Sequence, residues 1–229
     1  STTGTGAIAV AYTTPYTFLD PLTIRSNTSG GGAISATSAL NTGTNSLTIT
    51  SGGAVSVAAI TSGALAITGT GITLNGNITT SGTQSYTGAV TLGADVTLAS
   101  TGNASTGNDI SFSSTINGAK AFTVNAGVGA ITFNSTIGAT NNLTSLSLTT
   151  SHATGITLSG NITTTGSQTY NGNVYLSGSN INLLTTDSPV TVTGTINTSG
   201  SASSNLLLQF LGGGSYIYNG SNYTVGSGS

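Results

Sequence analysis

The side chains that could do acid–base, nucleophilic or metal chemistry in this chain are few and scattered. Apart from tyrosine, the 229 residues offer only these ionisable side chains: His152, Arg25, Lys120, Asp20, Asp95, Asp109 and Asp187. A catalytic histidine needs an orienting carboxylate and a nucleophile close by. The acidic residue nearest to His152 in the sequence is Asp187, 35 positions away. We therefore expect His152 to be an outer turn residue.

The four aspartates do not follow a pattern typical of a metal site or of a polysaccharide-cleaving site. Calcium prefers several clustered oxygen ligands, and the calcium-binding nonapeptide G-G-x-G-x-D-x-U-x is absent. Enzymes that cleave acidic polysaccharides need several acidic and basic groups on one face. Two basic residues cannot form a nucleic-acid-binding patch. The sequence predicts no catalytic residues, no metal site, no cofactor and no nucleic-acid partner, and therefore no enzyme.

A long internal repeat indicates what kind of scaffold carries these residues. Residues 71–92 (GITLNGNITTSGTQSYTGAVTL) recur at 155–176 (GITLSGNITTTGSQTYNGNVYL), an offset of 84 with 14 identities in the first 20 positions. Apolar–polar–apolar triplets such as Ile72-Thr73-Leu74 alternate with Asn-Gly, Ser-Gly and Thr-Gly pairs, as is typical of short strands and turns. Such short strands favour a solenoid over a sandwich. The sequence predicts an all-β fold, a parallel β-helix (β-solenoid).

The spacing of the triplets predicts the coil length and a column of core residues. If the third residues of similar triplets stack, they form a core ladder of Leu74, Leu92, Phe112, Phe133, Leu158, Leu176 and Val192. The offset of 84 would then be four coils of roughly 21 residues, and the chain would make about eleven coils in a rod of about 50 Å. Phe112 and Phe133 would stack inside. The repeat-equivalent Tyr86 and Tyr170 would pack at a corner or form exposed platforms for sugar rings.

Composition divides the chain into three segments. Residues 1–45 fit the triplet pattern less well, and we expect a cap, an irregular first coil or an exchanged strand there. Residues 46–211 are the predicted solenoid, with 84-residue units at 71–154 and 155–229, and residues 212–229 are a C-terminal edge and tail. Apolar windows at the two ends predict a self-assembly edge of Leu206, Leu207, Leu208, Phe210 and Leu211 against Ile8, Val10 and Tyr12.

The segments 71–98, 107–137 and 155–176, with their shared T-G-x-Q-x-Y-x-G-x-V core, resemble the repeats of bacterial surface proteins. These are the filamentous-haemagglutinin-like adhesins, also described as β-strand-repeat proteins. The resemblance covers roughly residues 45–200. It implies a right-handed β-helix, secretion to the bacterial cell surface, and a role in adhesion, biofilm matrix or surface fibres. The Asn-Pro-rich secretion motifs of that family are missing.

These observations lead to one expected function and two alternatives. The expected function is an extracellular structural protein that assembles with copies of itself into a fibre or matrix, because so little charge opposes association. One alternative is a passive repeat segment of a long secreted adhesin. The other is a module that binds ice or surface glycans through a flat Thr/Tyr face. No apolar run approaches the roughly 18 residues of a membrane helix, so no membrane span is expected.

Overall fold

The computed structural model describes residues 6–13, 17–27, 31–101, 108–198, 205–212, 215–218 and 221–224, and these contain strands, turns and bends but no helix. In chain order the strands are β1 (Ile8–Val10), β2 (Leu22–Arg25), β3 (Ile34–Ala36), β4 (Leu40–Asn41), β5 (Leu47–Thr50), β6 (Val55–Val57), β7 (Ile60–Ser62), β8 (Leu65–Leu74), β9 (Ile78–Thr80), β10 (Gln84–Leu92), β11 (Val96–Ser100), β12 (Ile110–Phe112) and β13 (Ile116–Asn117). They continue with β14 (Ala121–Gly127), β15 (Ile131–Phe133), β16 (Ser145–Thr150), β17 (Ile156–Leu158), β18 (Ile162–Thr163), β19 (Gln168–Asn171), β20 (Val174–Leu176), β21 (Asn180–Thr186), β22 (Val190–Val192), β23 (Ile196–Thr198), β24 (Asn205–Leu211), β25 (Ser215–Tyr218) and β26 (Ser221–Thr224).

The strands stack into three parallel faces, which the chain visits in turn as it winds. Face 1 contains β1, β3, β6, the second halves of β8 and β10, β13, the bridge residue Ile137, β18, β21 and β24. Face 2 contains β4, β7, β9, β11, β14, β16, β19, β22 and β25. Face 3 contains β2, β5, the first halves of β8 and β10, β12, β15, β17, β20 and β23. The predicted all-β solenoid is confirmed.

The predicted number of coils, about eleven, is wrong. The column of paired residues on face 1 runs from Ile8 to Leu208 in about nine turns. One coil takes 17 residues, from Val55 to Ile72, whereas the first takes 26, from Ile8 to Ile34. Extra residues are accommodated at the corners, where neither core packing nor strand pairing fixes the length. At about 4.8 Å per coil the stack is about 45 Å long.

The 84-residue repeat does not span a whole number of turns. Ile72 in the first copy lies on face 1, whereas its counterpart Ile156 lies on face 3. The chain passes through eleven faces between them, which is three and two-thirds turns and not the four coils predicted. One motif therefore folds on different faces, because every face offers the same setting of a short strand between two corners.

The predicted core ladder is buried in full, but it is not one column. Its members fall into three groups: Leu74 and Leu92 on face 1; Phe112, Phe133, Leu158 and Leu176 on face 3; and Val192 on face 2. The neighbour of Phe112 on the preceding coil is Tyr86, not Leu92. Equal spacing in the sequence could not separate the three faces, because each face carries the same apolar–polar–apolar pattern.

The segment 1–45 is part of the stack from β1 onward. β1 pairs with β3, β2 with β5, and β4 with β7, all in parallel, so this segment forms the first coils and not a separate cap or an exchanged strand. At the other end, residues 212–229 contribute β25 and β26. The part of the predicted tail from residue 225 onward lies outside the described residues.

Side-chain oxygens at the corners bind one coil to the next. Oδ1 of each of these residues accepts a backbone N–H from the following coil, at 2.8–3.1 Å: Asn77, Asp95, Asp109, Asn117, Asn161 and Asn173. Such bonds satisfy backbone donors that the strand ladders leave unpaired at the corners. The abundance of asparagine between strands therefore has a structural cause, and Asn77 and Asn161 use it at equivalent positions of the repeat.

Candidate functional site: a corner motif and the two ends of the stack

The ionisable residues named above lie apart in turns. His152 closes a turn in which the Gly155 N–H donates to the His152 carbonyl (2.9 Å), and its Nδ1 lies 2.6 Å from Thr154 Oγ1. Asp95 and Asp109 are each occupied by a backbone N–H of the next coil. Within the described ranges no group of three or more metal-binding side chains comes together. The arrangement offers no position for acid–base chemistry or for a metal ion.

The conserved-looking core of the repeat forms a polar motif around one corner, which we call the corner motif. It comprises Thr80, Gly82, Gln84, Tyr86, Gly88 and Val90, and again, 84 residues later, Thr164, Gly166, Gln168, Tyr170, Gly172 and Val174. The first copy places its glutamine and tyrosine on face 3, and the second places them on face 2. Both tyrosines are fully buried, so the predicted exposed platforms are wrong.

The hydrogen bonds of the first copy explain its residue types. The Tyr86 hydroxyl donates to Gln84 Oε1 (2.8 Å), and Gln84 Nε2 donates to the Ala99 carbonyl (2.9 Å) and to Thr80 Oγ1 (3.1 Å). Thr80 Oγ1 in turn donates to the Gly82 carbonyl (2.6 Å). Every buried polar group in this chain of bonds has a partner, as a buried network requires.

The second copy reproduces the same network on another face. The Tyr170 hydroxyl donates to Gln168 Oε1 (2.8 Å), and Gln168 Nε2 donates to the Leu184 carbonyl (2.9 Å) and to Thr164 Oγ1 (3.3 Å). Sequence reasoning missed this role, although a signal was present: the chain has only three glutamines, and two of them are identical across the repeat.

The buried tyrosines make stability sensitive to alkaline pH. Desolvation by burial raises the pKa of both Tyr86 and Tyr170 well above the ordinary value of about 10. Below about pH 10 both the folded and unfolded states keep the phenols neutral, and the stability contribution is complete. Above that pH only the unfolded chain ionises them, so we expect the free energy of unfolding to fall by about 1.4 kcal/mol per pH unit for each tyrosine.

Urea unfolding between pH 8 and 12 measures this slope. The double variant Tyr86→Phe/Tyr170→Phe should be less stable at pH 8, because two glutamine oxygens lose their donors, but its stability should fall less steeply above pH 10. Tyr175→Phe is the control, since Tyr175 lies on the outer side of face 3. An unchanged slope in the double variant would contradict the assignment.

The corner glycines are required by geometry. Gly88 has a φ of +135° and Gly172 a φ of +144°, values that side chains with a Cβ rarely adopt. A Cβ on Gly88 would lie 2.1 Å from the Gly69 carbonyl oxygen, and one on Gly172 would lie 2.6 Å from the Thr150 carbonyl oxygen. At these positions the backbone of one coil lies directly against the next.

The residues of the predicted self-assembly edge lie on one face, at its opposite ends. Leu206, Leu208 and Phe210 of β24 point inward and are half-buried, and so are Ile8 and Val10 of β1. Leu207 and Leu211 point outward and are 58% and 52% exposed. Tyr12 is held within its own chain, because its hydroxyl donates to the Ala39 carbonyl and its N–H donates to Ser38 Oγ (2.9 Å).

The two ends differ on face 2. At the C-terminal end β25 pairs in parallel with β22 on one side and antiparallel with β26 on the other. This is the only antiparallel pairing within the described part of the chain, and it stops the parallel progression of that face. The hairpin was not predicted, since Tyr216, Tyr218 and Tyr223 were assigned to an edge and tail.

Comparison with known proteins leaves the argument to the structure itself: no protein-family model, no curated protein and no solved structure matches this chain.

The described residues also contain no helix with the length and apolarity that a membrane crossing demands.

Proposed function

We propose that this chain is an extracellular structural element, a β-solenoid rod that forms part of an adhesive surface fibre or matrix. The observation that supports this proposal is the unbroken core. Inward apolar side chains follow one another on all three faces, from Ile34 to Val192, and the backbone hydrogen bonds run along the rod. Each coil contacts only its neighbours, so stability accumulates with every coil added.

The surface of the rod fits a structural role. Outward positions carry mainly Thr, Ser, Asn and small residues, and a formal net charge of −2 on 229 residues gives little mutual repulsion between rods. Dense packing of many copies at a cell surface or in a matrix is thus weakly opposed. The scattered ionisable residues, by contrast, offer no site for a reaction.

Antibodies raised against the purified chain would test the proposed location. Intact, unpermeabilised cells of the source organism should be labelled at their surface or on surface-attached material. Labelling that requires permeabilisation would contradict an extracellular role. Negative-stain images of the purified chain should show rods of about 45 Å or multiples of that length.

A second candidate function, binding of ice or of a surface glycan, is favoured by one row of outer residues. Strand pairing on face 2 aligns Thr97, Thr123, Ser147, Thr169 and Thr191 on five successive coils. β-branched threonine is stiff at χ1, so such a row presents hydroxyl and methyl groups at about 4.8 Å intervals.

Thermal hysteresis and retention on immobilised polysaccharides would test this face. Thr169→Lys should abolish either activity, because a long charged side chain interrupts the row at its centre. Thr157→Lys, on the outer side of face 3, is the matched control. Absence of both activities in the unmodified protein would leave the structural function alone.

A further inference from the structure

We propose that β26 is a cap that keeps a second copy of this chain off the C-terminal end of the rod, and that an uncapped end binds the N-terminal coil of another copy. This inference rests on the proposed structural function and adds its regulation. The partner is a second copy, and the surface is formed by β23, β24 and β25. The controlling element is the single antiparallel strand β26.

Both ends of the rod carry the apolar residues that a joint would bury. The half-buried residues that pack on the core are Ile8, Val10, Phe18, Leu22 and Ile24 in the first coil, and Ile196, Leu206, Leu208, Phe210 and Tyr216 in the last. In the middle of the rod the corresponding columns are fully buried, because another coil covers them on each side. Stacking of one copy on another would give the end coils the same environment.

Strand pairing supports the match between the two ends. Ile8 starts the column on face 1 that Leu208 ends, and Val10 occupies the same inward position as Phe210. Among the described residues no strand pairs with the outer edge of β24 or β1. Parallel strand edges are complementary by construction, so a first coil placed on a last coil repeats the contact made inside the rod. Repeated head-to-tail, this contact does not close and gives a filament.

β26 stands in the way of that contact. It lies on the free edge of β25, at the place on face 2 that the next coil would occupy, and it runs antiparallel. A flat end cannot seat on two faces while a strand projects from the third. Solenoids and open sheets commonly cover exposed edges in this way to prevent uncontrolled association. Such protection is needed here, since charge repulsion between copies is weak.

Proline in β26 tests the cap in the full-length chain. Asn222 lies opposite Ile217, and proline there removes a backbone donor and disfavours the strand. The rest of the fold should persist, because β26 pairs with β25 alone. Analytical ultracentrifugation of Asn222→Pro should show an average mass that rises with concentration to at least about twice the monomer mass. The unmodified protein and the control Asn222→Ala should remain monomeric.

A second substitution identifies the surface. Leu208→Lys, added to Asn222→Pro, should restore the monomer, because it places a charge in the column that meets Ile8 of the second copy. Tyr223→Pro should repeat the effect of Asn222→Pro. A monomeric Asn222→Pro rod with an unchanged circular-dichroism spectrum would overturn the cap, and so would equal association of the unmodified protein. Either result leaves the structural function standing, whereas absence of rods and of β-sheet signal in the unmodified protein would refute that function itself.

Discussion

Replacing Gly88 by alanine should destabilise the rod by about 3 kcal/mol or more. Two independent effects add at this residue. Its φ of +135° is a conformation that alanine rarely adopts, and the new Cβ would overlap the Gly69 carbonyl oxygen at 2.1 Å. Because the obstacle is backbone and not a flexible side chain, relief requires two coils to separate. Urea unfolding followed by circular dichroism would measure the loss.

Gly71 is a matched control in the same part of the stack. A Cβ there would meet nothing nearer than the Ala89 carbonyl oxygen at 4.0 Å, and its φ lies outside the positive region. Gly71→Ala should therefore be neutral, or stabilise slightly by reducing the entropy of the unfolded chain. Equal losses for Gly71→Ala and Gly88→Ala would show that the corner geometry does not matter. Gly172→Ala should resemble Gly88→Ala, since the repeat reproduces the positive φ.

Phe112→Ala should lower the free energy of unfolding by about 3–5 kcal/mol, the range for deleting a buried aromatic ring. Phe112 is fully buried and lies between Tyr86 and Phe133, with ring centroids 4.8 and 5.1 Å away and planes within 7°. The Phe122 ring meets it edge-on at 5.9 Å. Alanine would remove three ring contacts and leave a cavity at the centre of the rod.

Phe112→Leu separates the ring contacts from simple volume. Leucine refills most of the space, so the loss should be smaller than about 2 kcal/mol, with the remainder reflecting lost stacking. Leucine already follows the aromatic residues in this column, at Leu158 and Leu176, so the backbone tolerates it. If alanine and leucine reduced the urea midpoint equally, the stacked rings would contribute nothing beyond burial.

The fold was predictable from the sequence because strand periodicity and turn chemistry repeat along the whole chain. Triplets such as Ile131-Thr132-Phe133 are strands with buried outer residues, as alternation requires. The neighbours Phe112 and Phe133 were also correctly paired, since 21 residues happens to be the length of that coil. The count of coils failed where corners take up additional residues, as between Val90 and Ile116.

The inner polar network and the hairpin could not be predicted by the same reasoning. Tyr86 has a hydroxyl, which favours the surface, and only Gln84 beside it makes burial possible. That partnership depends on the tertiary position of the Ala99 carbonyl, one corner away. Similarly, the sequence of β26 does not specify its direction, because its pairing with β25 is set by a tight reversal after the last coil and not by hydrophobic periodicity.

The fractional length of the 84-residue repeat has a consequence for anything that reads the outside of the molecule. Two copies of one surface epitope face different sides of the rod and lie about 18 Å apart along its axis. A rigid two-headed binder approaching from one direction would reach only one of them. Duplication by this unit winds its outer features around the rod like the thread of a screw, and a neighbour on any side would find some of them.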